Sequence, residues 1–149
     1  MDNVNETAPA SLREVGEQKV RPLCQQMLDE FTSMTPGLRQ AVIASSDGFP
    51  LATVSLDAVE SRRLTAMSAT LGSLSRRIVS ELSLADAEAT TIETATGLVF
   101  CRQITNNLTP LVLLAVTDGS MNAGFLNRAV KIAATSLTDS LNALAQAGN

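Results

Sequence analysis

Leu111-Val112-Leu113-Leu114-Ala115-Val116 is the longest purely apolar run in the 149-residue chain. A strand with no polar alternation has both faces covered. It is therefore expected at the centre of a sheet with helices above and below, a three-layer α/β/α sandwich. The run is also far shorter than the roughly 18 apolar residues needed to cross a bilayer, so no membrane span is expected.

Working outward, the run lies within a strand from Pro110 to Thr117 that follows strands at Glu88 to Thr94 and Leu98 to Ile104. Ala95-Thr96-Gly97 and Thr105-Asn106-Asn107 separate the three. Glu88-Ala89-Thr90-Thr91-Ile92-Glu93-Thr94 carries charge and threonine, which suits a sheet edge. Upstream, Leu38 to Ser45 reads as a strand nearly as apolar as the central one and is expected beside it. Ser46-Asp47-Gly48 is a hairpin signal, and Phe49 to Ser55 is the return strand. Pro50 has no amide hydrogen, which places that strand at the other edge.

Three helical patterns complete the order α-β-β-α-β-β-β-α, with a mainly antiparallel five-stranded sheet. Val20, Leu23, Met27, Leu28 and Phe31 recur at three- and four-residue steps, and Pro22 sets the expected start, at a first turn. Thr35-Pro36-Gly37 ends this helix. Asp57 with Glu60 makes a capping box for a long helix to about Leu82. Asp118 is the expected cap of a last helix bearing Leu126, Val130, Ala133, Leu137, Leu141 and Leu144. One domain is expected over residues 21–146, with a flexible lead at 1–20 and a short tail at 147–149.

Composition narrows function by what is missing. There is no His, which removes Ser-His-Asp catalysis and most zinc sites. The lack of Trp and Tyr removes the usual stacking anchors of nucleic-acid sites, and a net charge of −4 disfavours a polyphosphate partner. Neither a cofactor nor a metal is expected. Cys24 and Cys101 stand far apart without a C-x-x-C pattern and read as reduced core thiols. The first residues have no basic flank and no hydrophobic stretch, so the expected location is the cytoplasm. Ser45, Ser46, Asp47 and Cys101 are the only raw material for catalysis, and Asp47 is accounted for by the turn. No catalytic residue is assigned, and the chain is not expected to be an enzyme.

The middle helix sorts into three stripes at 100° per residue. Leu64, Met67, Leu71, Leu74, Ile78 and Leu82 form an apolar line, expected to face the sheet. Beside it run Ser61, Thr65, Ser68, Gly72, Ser75 and Val79. Arg62, Arg63, Ser73, Arg76, Arg77 and Ser80 make the solvated face. Small side chains admit a close neighbour, and a mid-helix Gly costs about 1 kcal/mol relative to Ala. That neighbour is either a loop of the same chain or the same stripe of a second copy across a twofold axis. In the second case Thr90, Thr91 and Ile92 of the edge strand join the contact. The paired arginines read either as a solvated face or as contacts to a partner's carboxylates or phosphates.

Ala44-Ser45-Ser46-Asp47-Gly48-Phe49-Pro50-Leu51-Ala52 resembles the hairpin signature of the Roadblock family, the dynein light-chain roadblock type. Arg63-Leu64-Thr65-Ala66-Met67-Ser68-Ala69 resembles its second helix, and Asn122-Ala123-Gly124-Phe125-Leu126-Asn127-Arg128 the start of its last. The three stand in the family's order, and the resemblance as a whole spans about Leu23 to Leu144. The resemblance implies a Roadblock/profilin-like sheet of order 2-1-5-4-3, with the second helix on one face and the outer helices on the other. It implies homodimers or heterodimers formed through the second helix and third strand. Free-standing prokaryotic members commonly act with a small Ras-like GTPase, and the gliding-motility member is its GTPase-activating protein; eukaryotic members serve as dynein light chains or scaffold subunits.

The chain has no G-x-x-x-x-G-K-[ST] loop and is not itself a GTPase of that kind. The expected partners are a second copy or a paralogue, and a small Ras-like GTPase. Arg62, Arg63, Arg76 and Arg77 are candidate contacts to the GTPase. They act either as a donated arginine or, the favoured route, as part of a surface that orders the switch loops. The alternative is a dimeric scaffold that tethers proteins without changing nucleotide turnover.

Overall fold

The structure, a computed structural model, describes residues 16–147. The elements are α1 (Glu17–Met34), β1 (Leu38–Ser45), β2 (Pro50–Val54), α2 (Ala58–Glu81), β3 (Ala89–Glu93), β4 (Gly97–Ile104), β5 (Leu111–Asp118) and α3 (Ala123–Ala147). The five strands form one sheet of order β2-β1-β5-β4-β3, with every neighbouring pair antiparallel. The apolar β5 is central, β1 lies beside it, and β2 and β3 are the edges, as their compositions require.

Alternation along the strands divides the core in two. Ile43, Phe100, Leu113 and Ala115 point to the face covered by α1 and α3, where they meet Val20, Cys24, Leu28, Phe31, Leu126, Val130 and Leu141. Val42, Cys101, Val112 and Leu114 point to the face covered by α2 and form a much smaller cluster. Among the described residues no helix is long and apolar enough to cross a membrane.

Local chemistry explains the boundaries. In the β1–β2 turn Gly48 N–H donates to Ser45 O (3.0 Å), and Ser45 Oγ accepts from Phe49 N–H (3.2 Å). Only Gly48 takes a positive φ there (+95°), and Asp47 does not. The capping box at α2 forms as read: Glu60 N–H donates to Asp57 Oδ1 (2.8 Å), and Asp57 N–H to Glu60 Oε1 (3.1 Å).

Two expectations are corrected. Helix α1 begins at Glu17, upstream of Pro22, so the lead does not extend to residue 20, and Val20 is fully buried core. Pro22 is tolerated inside the helix because it lies on the exposed side, where the Gln18 carbonyl that the missing N–H leaves free is open to solvent. The cap of α3 is Asn122, whose Oδ1 accepts from Gly124 N–H (2.8 Å) and Phe125 N–H (3.1 Å). Asp118 ends β5 and instead accepts from the Ser120 amide and hydroxyl. The rest of the expected lead, residues 1–15, and residues 148–149 of the tail lie outside the described residues.

Candidate functional site

Helix α2 meets the sheet with its small stripe, not its apolar line. Ser61, Thr65, Ser68 and Gly72 are its buried residues. Two of the hydroxyls turn back onto their own helix, Ser61 Oγ donating to Asp57 O (2.7 Å) and Ser68 Oγ to Leu64 O (2.8 Å). Thr65 Oγ1 is buried without a partner. Half-buried Ser75 shares a 2.8 Å hydrogen bond with Thr90 Oγ1 of β3. At Gly72 a Cβ would lie 2.6 Å from Nε2 of Gln103, on β4. Thus the close neighbour that the stripe requires is the protein's own sheet.

The neighbour lies inside the molecule, but it is the sheet rather than a loop or a second copy. The stripe's side chains lie neither beneath a loop nor on the outer surface, and Ser61, Thr65, Ser68 and Gly72 are not available to a second copy. Thr90 is occupied by Ser75, whereas Thr91 is exposed on β3.

The apolar line, expected against the sheet, runs along the flank of α2. Leu64 and Leu71 are half-buried and pack on the small cluster with Leu56 and Val99. Met67 (58% exposed), Leu74 (54%), Ile78 (52%) and Leu82 (64%) face outward. Ile92 of β3, 44% exposed, stands beside them. Ala66, Met67, Thr70, Leu71, Leu74 and Ile92 line an open apolar groove of about 510 Å³. Large apolar side chains grouped this way on one surface mark an interaction site rather than ordinary surface scatter. The signal was present in the sequence: Ser, Thr, Ser and Gly at positions 61, 65, 68 and 72 specify a close approach to a flat partner, which a sheet provides.

Arg62, Arg63, Arg76 and Arg77 occupy the back of α2 and its other flank. All are exposed, and none pairs with a carboxylate among the described residues. Arg62 and Arg76 are about 21 Å apart along the helix. Arg62 also borders a 490 Å³ groove shared with Arg21, Gln25 and β2.

The two edges of the sheet differ as well. Side chains of α1 hydrogen-bond the outer edge of β2: Gln25 donates to Thr53 O (3.2 Å) and accepts from Thr53 N–H (3.4 Å). Among the described residues, no side chain bonds the backbone of β3. Its free edge continues the apolar flank through Ile92.

Little here resembles a reaction centre. Burial pushes the Cys24 thiol up to about 12 and Cys101 to about 11, so both stay protonated near neutrality. Hydrogen bonds from Ser120 hold the exposed Asp118 carboxyl below its ordinary value. Among the described residues no group of His, Cys, Asp or Glu has the arrangement of a metal site.

Five antiparallel strands in this order, with one helix on one face and two on the other, define a three-layer α/β/α sandwich. The chain belongs to the Roadblock/LC7 domain family, whose family model matches residues 24–116. A Roadblock/LC7 domain from Streptomyces avermitilis superposes with a TM-score of 0.71 at 19% identity, over 78% of this chain and 96% of that one. Myxococcus xanthus MglB gives 0.69 at 12% identity, over 86% and 91%. A structure described as MglB with a tetrameric arrangement gives 0.70 at 16%, over 87% and 93%. At these identities the likeness is one of fold. No curated protein sequence matches the chain.

Proposed function

We propose that the chain is a non-enzymatic, self-associating partner of a small Ras-like GTPase, and that the dimer regulates nucleotide turnover by ordering the GTPase's switch loops. The observation that carries this reading is the apolar flank of α2 beside the edge of β3, both left uncovered by the described residues. A second copy related by a twofold axis meets both at once: flank packs on flank, and β3 pairs with β3 to extend the sheet. That MglB is found in a tetrameric arrangement supports self-association in this family. The dimer uses Met67, Leu74, Ile78 and Ile92 in place of the small stripe.

The regulatory half rests on the family resemblance and on the four exposed arginines. A donated arginine has to reach a buried phosphate and suits a mobile loop, whereas all four lie on the rigid body of α2. In this reading they meet acidic groups of the GTPase around its switch loops. The test is single-turnover GTP hydrolysis by a Ras-like GTPase encoded beside this chain, with and without purified protein. Acceleration is expected, and each single Arg→Ala variant should retain most of it. Loss of about 10³-fold or more from one such variant would instead mark an inserted arginine. No complex with the nucleotide-loaded GTPase would contradict the reading. A complex with unchanged turnover would assign the adaptor role found elsewhere in the family.

A further inference from the structure

β2 is an edge strand, and side chains of α1 occupy four of its backbone groups. Arg21 Nη1 donates to Pro50 O (3.2 Å) and Leu51 O (3.5 Å). Gln25 holds Thr53 through both its amide groups, donating to Thr53 O (3.2 Å) and accepting from Thr53 N–H (3.4 Å). The primary amide thus supplies the donor and acceptor that another strand would offer. Both side chains are held in place from their own helix, Arg21 by Glu17 (3.0 Å) and Gln25 by Asp29 (3.1 Å). Pro50 removes one more donor, and the β1–β2 register shifts between Ile43 and Ala44, which bends the edge.

We infer that Arg21 and Gln25 form an edge guard that closes β2 to strand pairing and confines self-assembly of this chain to β3. The need for a guard follows from symmetry. Two self-complementary edges on opposite sides of one sheet generate an open chain of copies, not a closed dimer. The β3 half of this inference rests on the proposed dimer; the closure of β2 stands on its own hydrogen bonds. Residues that only filled surface would not place two anchored side chains on four backbone groups of one strand.

The test is sedimentation velocity of the full chain as wild type and as Arg21→Ala/Gln25→Ala, over a wide concentration range. The double variant is expected to grow beyond the wild-type species as concentration rises. Adding Thr53→Pro, which deletes the outward N–H, should return it to wild-type size. A double variant that melts like wild type and sediments identically at every concentration overturns the guard. If the double variant does not fold, Gln25→Ala alone carries the test. The Thr53 amide should then exchange about fivefold faster, as expected for one lost hydrogen bond, with a smaller rise in mass; unchanged exchange and mass would contradict it. A wild type that stays monomeric contradicts the β3 dimer alone, since opening β2 must still raise the mass above wild type.

Discussion

The two faces of the sheet are closed by different means. Toward α1 and α3, large side chains interdigitate: Val20, Leu28, Phe31, Leu126, Val130 and Leu141 are fully buried against Ile43, Leu111 and Leu113. Toward α2 the helix contributes Ser61, Thr65, Ser68 and Gly72, and its large apolar residues stand at the rim. The first face is a finished hydrophobic core. On the second, the helix lies close to the sheet but buries little apolar area there, so its outward flank keeps apolar surface that burial by a partner would stabilise at about 25 cal/mol per Å². The sheet edges repeat the contrast, α1 bonding β2 while the described residues leave β3 open.

Substitutions on the two faces sharpen this comparison. Leu113→Asp places an unpaired carboxylate in the finished core and should cost about 3–5 kcal/mol or more, enough to unfold a domain of ordinary stability. Cooperative thermal unfolding like wild type would mean that β5 is not central. Leu71→Ala, on the half-buried shoulder of the other face, should cost about 1 kcal/mol in the isolated chain, measured by urea denaturation. A loss as large as that of Leu113→Ala, about 2–5 kcal/mol, would erase the asymmetry.

The smallest effect is expected at Gly72. Its replacement by Ala gains about 1 kcal/mol of helix propensity, but the new Cβ meets the Gln103 amide at 2.6 Å. Because that amide ends a flexible side chain, the two effects should nearly cancel in Gly72→Ala. Gly72→Ala/Gln103→Ala should be more stable than Gln103→Ala alone by up to about 1 kcal/mol. A double variant less stable than Gln103→Ala would show that the sheet backbone, not Gln103, excludes a side chain here.

Much of the sheet was legible in the sequence because each strand's environment marks its composition. β5 carries no polar alternation, β2 starts on Pro50, and β3 follows Glu88 and ends on Glu93. The capping box was legible because its two residues satisfy each other locally. The orientation of α2 was not, for a physical reason: apolar periodicity identifies the side of a helix that avoids water, not the surface that covers it. Leu64 and Leu71 serve the sheet while Met67, Leu74 and Ile78, on the same line, do not. Arg21 and Gln25 were invisible because their role depends on β2 passing beside them, a contact between positions about thirty residues apart. The Asn122 cap was missed because Asp118 is an equally good capping residue and only the chain path after β5 decides between them.

Sedimentation equilibrium of wild type beside Leu74→Asp/Ile78→Asp shows whether the apolar flank of α2 belongs to an interface. Both substituted residues are more than half exposed within one chain, so the variant should keep its far-UV circular dichroism. Wild type is expected at twice the 15.7 kDa chain mass and the variant at the mass of a single chain. A wild type that stays a single chain, or a variant whose mass does not fall, would contradict an interface there.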